Sequence, residues 1–223
     1  MGWVVVGGQS RNVGKTSAVC SLIAAFPECR WTAVKITQFG HGICSRSGHA
    51  CDCACDDADW ALQEQRNRTG PKDTPRFLRA GASRVWWLRC RRGKLAAAMP
   101  SLDAALAGDP WVICESNSLV SLRRPDLYLM LLDAGVADWK DSARSLLPRA
   151  DARLLVDRAS IPNGTDRPVR PLAPQPPAAA GSGQRAAISP LASAVETPLF
   201  PVAPPSFLSA AVVAWVRARL ALG

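Results

Sequence analysis

The stretch Val4-Val5-Val6-Gly7-Gly8-Gln9-Ser10-Arg11-Asn12-Val13-Gly14-Lys15-Thr16-Ser17 decides the fold of this chain. An apolar strand runs into a glycine turn, and Gly14-Lys15-Thr16 opens a helix. A loop of backbone N–H groups at the start of a helix holds phosphate oxygens. We therefore expect a phosphate-binding loop, in which Lys15 reaches the β- and γ-phosphates of a nucleotide and the Thr16 hydroxyl binds Mg²⁺.

The expected nucleotide-binding residues lie in this loop, in the first helical turn and on the next strand. They are Gly8, Asn12, Val13, Gly14, Lys15, Thr16, Ser17 and Lys35. Lys15 is also expected to be catalytic, because a lysine at this position neutralises charge on the transferring phosphates. Gly8 stands six positions before Gly14, and Gln9 occupies the position where the common Walker A pattern has glycine. The loop is thus one residue longer than usual.

A carboxylate at the end of a neighbouring strand would complete such a site. The apolar run Trp111-Val112-Ile113-Cys114 is followed by Glu115, and open α/β sheets bind ligands at the carboxyl ends of their strands. We expect Glu115 to hold Mg²⁺ together with Thr16, directly or through water, and to take part in catalysis. Asp133, after the run Leu129–Leu132, is the weaker alternative.

Length and composition favour a single α/β domain. The chain has 223 residues, of which 48% are hydrophobic and 20% are charged, and this is enough to bury a sizeable core. Fibrous and wholly disordered proteins are excluded. No uninterrupted run of about 20 apolar residues is present. The N-terminal residues show neither a basic leader nor a cleavage site, so we expect a soluble cytoplasmic protein without a membrane partner.

The net charge of +9 does not by itself indicate nucleic-acid binding. Only five of the 27 basic residues are lysines, and the arginines are scattered among alanines and prolines without a block of like charges. No groove-reading motif accompanies the charge. We therefore expect an affinity for anionic ligands rather than for nucleic acid.

Short β-rich runs alternate with helix-like segments up to about Arg158. This pattern predicts an α/β fold with a mainly parallel twisted sheet flanked by helices, as in P-loop NTPases. The predicted strands are Trp3–Val6, Thr32–Ile36, Arg84–Leu88, Trp111–Cys114, Leu127–Leu132 and Ala152–Val156. The predicted helices are Lys15–Ala25, Asp57–Gln65, Thr74–Ala80, Lys94–Ala107 and Lys140–Leu147.

Proline content divides the chain into parts. Residues 1–158 are expected to form the nucleotide-binding domain, with a Cys-rich loop at 41–55. Eleven of the 18 prolines come later, and residues 159–197 are interpreted as a disordered Pro/Ala-rich linker, because such a composition buries too little apolar surface to fold. Residues 198–223 are expected to pack back on the domain. They contain a predicted strand at Pro198–Val202 and a predicted helix at Ser206–Leu220.

Three further segments, together with the loop, resemble the MobB family of molybdopterin-guanine dinucleotide biosynthesis adaptor proteins. The segment Ala33–His41 resembles the family's Lys-His-Thr-His-like strand end, with Lys35 and Thr37 kept. The segment Arg68–Ala82 resembles the family's Gly-Lys-Asp-Ser-x-Arg and Ala-Gly-Ala sequence, with one inserted proline. Glu115 matches the acid of the family's Val-Glu-Gly strand end.

The resemblance covers about the first 120 residues and implies a divergent member of that family. It implies a GTP-binding protein, with slow hydrolysis, that assists the attachment or delivery of a nucleotide-modified molybdenum cofactor. Proteins of molybdenum cofactor biosynthesis are the implied partners, and we also expect a homodimer. The resemblance places Lys35, Asp73 and Arg76 near the nucleotide phosphates or a partner surface. Asp73 is equally well explained as the cap of a helix.

The spacing Gly-x5-Gly-Lys-Thr also resembles the loops of dethiobiotin synthetase and the cobyrinic acid synthases. The alternative function is therefore an ATP-dependent synthetase in which Lys35 helps to bind a carboxyl group. The guanine motif Asn-Lys-x-Asp of Ras-type GTPases is absent, so the sequence leaves GTP and ATP open. A metallochaperone is the third alternative, on account of the cysteines.

Four cysteines and both histidines lie within residues 41–55. In a reducing cytosol, grouped cysteines bind metal more often than they form disulfides, and Zn²⁺ or an iron–sulfur cluster would suit them. The expected ligands are Cys44, Cys51, Cys53 and one of Cys55, His41 and His49. A redox or free-thiol loop and a chance cluster are the other interpretations. A bound metal would either be sensed by the nucleotide site or only stabilise the loop.

The remaining features are interpreted as structural. Trp86 and Trp87 lie in an apolar strand and are expected in the core rather than on a stacking surface. The segment Lys140–Arg144 is expected to be the solvated start of a helix. The cysteines outside the cluster are expected to be core residues; they are Cys20, Cys29, Cys90 and Cys114.

Overall fold

The structure, a computed structural model, describes residues 1–40, 58–158 and 197–222. The strands in this part of the chain are β1 Gly2–Gly8, β2 Thr32–Phe39, β3 Trp60–Glu64, β4 Arg84–Arg91, β5 Trp111–Glu115, β6 Leu127–Asp133, β7 Ala152–Val156 and β8 Leu199–Val202. The helices are α1 Lys15–Ala25, α2 Asp73–Arg79, α3 Leu95–Ala105, α4 Asp141–Leu146 and α5 Ala210–Arg219. The predicted Cys-rich loop lies outside the described residues, as does the predicted linker except for its last residue.

The eight strands form one sheet in the order β3-β4-β2-β5-β1-β6-β7-β8. Neighbouring strands are parallel except for β3 and β4. From β1 the chain runs to β2 and β4 on one side, and it then returns through β5 to β6 on the other side. The strand order therefore reverses at the carboxyl end of β1, which is the place where open α/β sheets bind ligands.

Helices cover both faces of this sheet. Helices α1, α2 and α5 pack on one face around a first core, which includes Val4 and Val6 of β1. Helices α3 and α4 pack on the other face around a second core, which includes Trp3 and Val5. Successive residues of β1 enter opposite cores because the side chains of a strand alternate between its faces. The predicted α/β fold, a mainly parallel sheet flanked by helices, is confirmed.

One predicted helix is wrong. The sequence predicts a helix over Asp57–Gln65, whereas Trp60–Glu64 forms β3, which pairs antiparallel with β4. Residues 61–64 are good helix formers, so the local sequence favours a helix. Trp60 and Leu62, however, alternate onto one face and pack against the second core. Their burial and the hydrogen bonds to β4 outweigh the local preference.

The other predicted elements in the described residues lie within a few residues of their predicted bounds. Strands β2 and β4 run three residues further than predicted, to Phe39 and Arg91, because they pair with each other along their whole length. On its other side β2 pairs with β5 only as far as Lys35 and Glu115. The end of β2 therefore extends beyond the end of β5 at the carboxyl edge of the sheet.

Three of the four cysteines that were expected in the core are buried, and Cys20 packs against the first core while partly exposed. Burial raises the pKa of Cys29 and of Cys90 to about 11. Within residues 1–40, 58–158 and 197–222, no helix has both the length and the apolar character needed to cross a membrane.

The C-terminal segment packs against the β1–α1 loop. Strand β8 pairs in parallel with β7, and α5 contributes Val212 and Val216 to the first core. Between these two elements Phe207 adopts a φ of 50° and packs on Gly14. A Cβ placed on Gly14 would lie only 2.3 Å from Cε1 of Phe207. The aromatic ring thus rests directly on the glycine that precedes α1.

Candidate functional site

The β1–α1 loop lies at the carboxyl edge of the sheet and is closely packed. Gly14 has a φ of 108°, a left-handed conformation that glycine adopts without strain, and α1 begins at the next residue. A Cβ on Gly8 would lie 2.6 Å from Cγ1 of Val13 and 2.9 Å from Cγ of Lys15. Glycine at these two positions therefore lets the loop fold tightly against the first turn of α1, whose N–H groups attract anions.

Lys15 turns its ammonium group back over the loop. Its Nζ donates to the backbone oxygen of Ser10 at 2.8 Å. Burial and repulsion by Lys140 lower the pKa of Lys15 to about 8. In the part of the chain that the structure describes, no acid forms an ion pair with Lys15. The positive charge of this lysine is therefore directed at the loop itself.

A hydroxyl and three charged side chains form one network beside Lys15. Oγ1 of Thr16 donates to Oε2 of Glu115 at 2.8 Å. Nζ of Lys35 binds Oε1 of Glu115 and lies 2.9 Å from Oδ2 of Asp73. Lys35 and Glu115 are register partners on β2 and β5, while Thr16 is on α1 and Asp73 is on α2. Four elements thus bring these groups to one point.

The charges in this network stabilise one another. Burial by itself would lower the pKa of Lys35, but attraction to Glu115 and Asp73 and hydrogen bonds to both outweigh it and raise this pKa. Burial would likewise raise the pKa of Asp73, but attraction to Lys35 and a hydrogen bond from Lys35 outweigh it and lower this pKa. Lys35 is therefore a cation and Asp73 a carboxylate at neutral pH.

Helix α2 contributes a further cation next to the first turn of α1. Nη2 of Arg76 donates to Oγ of Ser17 at 2.8 Å, and Nη1 lies 3.9 Å from Oδ1 of Asp73. The helix begins at Asp73, and Lys72 occupies its N-cap position. The carboxylate of Asp73 therefore binds Lys35 and does not cap the helix, contrary to the structural interpretation of this residue.

Two amide side chains fasten the end of β1. Oδ1 of Asn117 accepts from the backbone N of Gly8 at 2.8 Å, and Nδ2 donates to the backbone oxygen of Gly8 at 3.0 Å. The side chain of Gln9 accepts from the backbone N of Asp133 at 2.8 Å and donates to the backbone oxygen of Val136 at 2.5 Å. Gln9, the residue at the unusual position of the loop, therefore connects the loop to β6.

Asp133, the weaker alternative to Glu115, belongs to a different network. Its carboxylate binds Nε of Arg158 and accepts from the backbone N of Gly135 at 3.0 Å. Nη2 of Arg158 also donates to the backbone oxygen of Asn12 at 3.3 Å. Of the two candidate acids, Glu115 is the one that contacts the hydroxyl of Thr16.

The structure places near one another all the residues that the sequence predicts to bind a nucleotide. At the end of β1 and the start of α1 lie Gly8, Asn12, Val13, Gly14, Lys15, Thr16 and Ser17, with Lys35 and Glu115 beside them. Their side chains differ in setting. Val13 is buried in the first core, whereas Asn12 is exposed and has a φ of 58°.

Lys140 is a site residue that the sequence interpretation placed on a solvated helix start. Its backbone N donates to the backbone oxygen of Gln9 at 3.0 Å, and its side chain is partly buried. Burial and repulsion by Arg11 lower the pKa of Lys140. Lys140 and Lys15 therefore make the surroundings of the loop positive. No local motif marks this lysine, because the connection between β6 and β7 carries it to the loop.

The oxygen atoms next to the loop fit Mg²⁺ chemically. Thr16, Glu115 and Asp73 supply a hydroxyl and two carboxylates, and Mg²⁺ beside a phosphate is held by few protein oxygens. Among the residues described here, no group of three or more His, Cys, Asp or Glu side chains is arranged to hold a metal ion. The predicted Zn²⁺ or iron–sulfur ligands lie outside the described residues; they are His41, Cys44, Cys51, Cys53 and Cys55.

A scan against models of protein families and searches of curated proteins and of solved structures find no match to this chain. What the site can bind is therefore inferred from the positions and charges of its own residues. A strand–loop–helix turn, two lysines beside the loop, a hydroxyl in contact with the carboxylate of Glu115, and the second carboxylate of Asp73 meet at one edge of the sheet. Such a set of groups suits a polyanion accompanied by a divalent cation.

Proposed function

We propose that this chain is an Mg²⁺-dependent GTP-binding protein of the P-loop NTPase type, with slow GTP hydrolysis. One observation carries most of the proposal: Thr16, in the first turn of α1, donates a hydrogen bond to Glu115 at the end of β5. A hydroxyl and a carboxylate in contact, next to a lysine over a glycine-containing loop, are the groups that an Mg²⁺–nucleotide complex uses.

In this proposal the loop binds the nucleotide phosphates. Backbone N–H groups between Gly8 and Thr16 hold phosphate oxygens, and Gly14 permits the turn into α1. Lys15 exchanges its hydrogen bond with the backbone oxygen of Ser10 for bonds to phosphate, and Lys140 adds positive charge. Phosphoryl transfer depends mainly on positioning and on charge stabilisation, so these two lysines lower the barrier to hydrolysis.

Thr16 and Glu115 are the proposed Mg²⁺ ligands, with Asp73 as a second carboxylate. When bound, the ion neutralises charge on the phosphate oxygens. Lys35 binds both carboxylates and thereby orients them towards Thr16. A partner that contributes a further cation would accelerate a slow hydrolysis.

We further propose a MobB-like role, in which GTP binding assists attachment or delivery of a nucleotide-modified molybdenum cofactor. Two contacts support it, because they join segments that carry the resemblance. Lys35 lies 2.9 Å from Asp73, and Arg76 donates to Ser17 at 2.8 Å. The proposed partners are proteins of molybdenum cofactor biosynthesis and a second copy of this chain.

An ATP-dependent synthetase is the second candidate. Lys35 binds two carboxylates at the edge of the sheet, so the carboxyl group of a small substrate would find a suitable cation there by replacing Asp73, the more exposed of the two. Formation of a product from a small carboxylic acid, with consumption of ATP, would distinguish this enzyme from the GTP-binding protein.

Equilibrium binding of GTP and ATP, measured side by side by titration calorimetry with Mg²⁺ present, tests the proposal. We expect tighter binding of GTP and a loss of at least about tenfold in affinity for Lys15→Ala, because a charge-assisted contact to phosphate is removed. Lys94→Ala is the matched control, since Lys94 is exposed and pairs with Asp59. A preference for ATP would favour the synthetase. Equal affinities of Lys15→Ala and the wild type would contradict the assignment of the loop.

A further inference from the structure

Arg158 connects the end of β7 to the β1–α1 loop. Its Nε binds Oδ2 of Asp133, and its Nη2 donates to the backbone oxygen of Asn12 at 3.3 Å. The Asp133 side chain is 3% exposed, whereas the Arg158 side chain is 48% exposed. The guanidinium is therefore fixed on one side by a buried carboxylate, and on the other side it reaches the loop.

Asp133 anchors the loop at two places. Its backbone N donates to the side chain of Gln9 at 2.8 Å, and its carboxylate holds Arg158, which reaches Asn12. The loop between Gly8 and Gly14 is one residue longer than usual. Each further residue whose backbone must be ordered costs conformational entropy. Two attachments to the same buried residue therefore restrict a loop that has additional freedom.

The bond from Arg158 fixes the orientation of one peptide group in the loop. The carbonyl of Asn12 and the N–H of Val13 belong to the same trans peptide, so they point in opposite directions. Because the carbonyl faces Arg158, the N–H faces away from it. Among the hydrogen bonds of the described residues, none involves this N–H. It is therefore an available donor, although Val13 is only 1% exposed.

The backbone on both sides of Val13 is left-handed. Asn12 has a φ of 58° and Gly14 a φ of 108°. Alternation of left-handed with right-handed residues turns successive N–H groups to one side, and the concave turn that results binds anions. Asparagine adopts the left-handed conformation less readily than glycine. The bond from Arg158 stabilises Asn12 in this conformation.

We propose that Arg158 is a positioning residue of the nucleotide site. It holds the peptide between Asn12 and Val13 so that the N–H of Val13 is directed at a phosphate oxygen, and Asp133 in turn positions Arg158. The inference rests on the proposed function, because the phosphate is that of the bound nucleotide. A donor that is oriented before binding raises the affinity, since less conformational freedom is lost when the ligand binds.

Arg158→Lys separates the position of this side chain from its charge. Lysine keeps a positive charge beside Asp133, but its single nitrogen does not reproduce the fixed fork of the guanidinium on two acceptors. We expect titration calorimetry with Mg²⁺–GTP to show an affinity about tenfold lower for Arg158→Ala and at least about threefold lower for Arg158→Lys. In GTP hydrolysis the KM of Arg158→Lys should rise while kcat changes less than about twofold, because the oriented donor binds substrate and transition state alike.

Hydrogen exchange of the loop, measured by mass spectrometry without nucleotide, reports the positioning directly. We expect the amides of residues 9–14 to exchange at least about fivefold faster in Arg158→Ala and in Arg158→Lys than in the wild type. The amides of β5 should exchange at the wild-type rate. Arg158→Lys keeps the test decisive if Arg158→Ala does not fold, because it leaves the buried Asp133 paired with a cation.

Arg123→Ala is the matched control. Arg123 also binds an aspartate, with its Nη2 2.7 Å from Oδ1 of Asp103, but it precedes β6 and so lies towards the amino edge of the sheet. We expect this variant to change the exchange of the loop and the affinity for GTP less than about twofold.

The failure of this inference and the failure of the proposed function have different signatures. Wild-type affinity and wild-type loop exchange in Arg158→Lys would overturn the positioning role and leave a contribution of charge alone. GTP binding that is lost in Lys15→Ala but unchanged in both Arg158 variants would likewise overturn only the role of Arg158. Faster loop exchange in Arg158→Lys, in a protein whose wild type binds neither GTP nor ATP, would uphold the attachment of the loop to Arg158 and contradict the proposed function.

Discussion

Lys35 and Glu115 are register partners on the neighbouring parallel strands β2 and β5, and their side chains form an ion pair at the carboxyl edge of the sheet. The Glu115 side chain is 4% exposed and the Lys35 side chain 18% exposed. Asp73 lies 2.9 Å from the same ammonium group. One lysine therefore compensates two carboxylates, of which one is buried.

Lys35→Met should lower the free energy of unfolding by about 3 kcal/mol, because removing one partner of a buried ion pair leaves the other charge uncompensated. Urea denaturation measures this change. The double variant Lys35→Met/Glu115→Gln should recover part of the lost free energy of unfolding, because it also removes the uncompensated charge. Lys94→Met is the matched control: its pair with Asp59 is exposed, so we expect a change below about 1 kcal/mol. Equal effects of the two lysine substitutions would contradict the role assigned to Lys35.

Nucleotide affinity should fall as the pH rises through about 8. The pKa of Lys15 is lowered to about 8, so this lysine is charged at pH 7 and mostly neutral at pH 9. Phosphate binds the charged form, and the dissociation constant should therefore rise about fivefold between pH 8 and pH 9. Binding titrations at several pH values measure the slope. The arginine of Lys15→Arg stays charged over this pH range, so the dissociation constant of this variant should change little with pH. A dissociation constant of the wild type that does not change with pH would contradict the prediction.

Gly14→Ala should destabilise the protein in two ways. The φ of 108° is unfavourable for alanine, and the new Cβ would lie 2.3 Å from Cε1 of Phe207. We expect a loss of at least about 2 kcal/mol in the free energy of unfolding, measured by chemical denaturation. Gly108→Ala separates the two causes, because Gly108 has a φ of 88° but nothing within 4 Å of its added Cβ. Equal losses in the free energy of unfolding for the two variants would contradict a steric contact between Phe207 and the Cβ of residue 14.

Gln9→Glu should destabilise the connection between the loop and β6. Gln9 is 2% exposed, and an ionised carboxylate can still accept from the backbone N of Asp133 but cannot donate to the backbone oxygen of Val136. We expect the free energy of unfolding to fall by about 2 kcal/mol at neutral pH, because the backbone oxygen of the partly buried Val136 is left without this donor. Protonation of the new carboxyl restores a donor, so denaturation curves should show a smaller loss at acidic pH. A loss independent of pH would exclude this explanation.

Replacement of Cys51 and Cys53 by serine tests the metal site that the sequence predicts in the Cys-rich loop. Serine oxygen is a poor substitute for a thiolate, so the double variant should lose its Zn²⁺ or iron–sulfur content. Elemental analysis of the purified protein measures the metal. Cys20→Ser, which changes a cysteine outside the cluster, is the control. Undiminished metal in the double variant would refute the cluster, and Lys15→Ala should leave the metal content unchanged.

Local signals in the sequence suffice to predict the β1–α1 turn and most of the helices and strands. The run Val4–Val6, followed by Gly14-Lys15-Thr16, predicts a strand, a turn and a helix because each has its own local requirement. The contact between Lys35 and Glu115 has no such signal. Eighty positions separate them in the chain, and they become neighbours only because β2 and β5 pair in one register.

Where local preference and tertiary packing disagree, packing decides. Residues 61–64 favour a helix, yet they form β3 because Trp60 and Leu62 find a core and β4 offers its free edge. Trp87 shows the opposite case, in which the local sequence predicts burial and the folded chain leaves the side chain partly exposed. Its apolar neighbours in the sequence predict burial, but the alternation of β4 turns it away from the second core, where Trp86 packs.

The sequence by itself determined the α/β fold class and the loop residues from Gly8 to Ser17, because hydrophobic periodicity and glycine conformation act over a few residues. The tertiary structure alone decided which side chains gather around that loop. Strand order brings Lys35 to Glu115, α2 brings Asp73 to Lys35, and the β6–β7 connection brings Lys140 to Gln9. These contacts join distant segments, and long-range pairing is a property of the folded chain rather than of any short stretch of it.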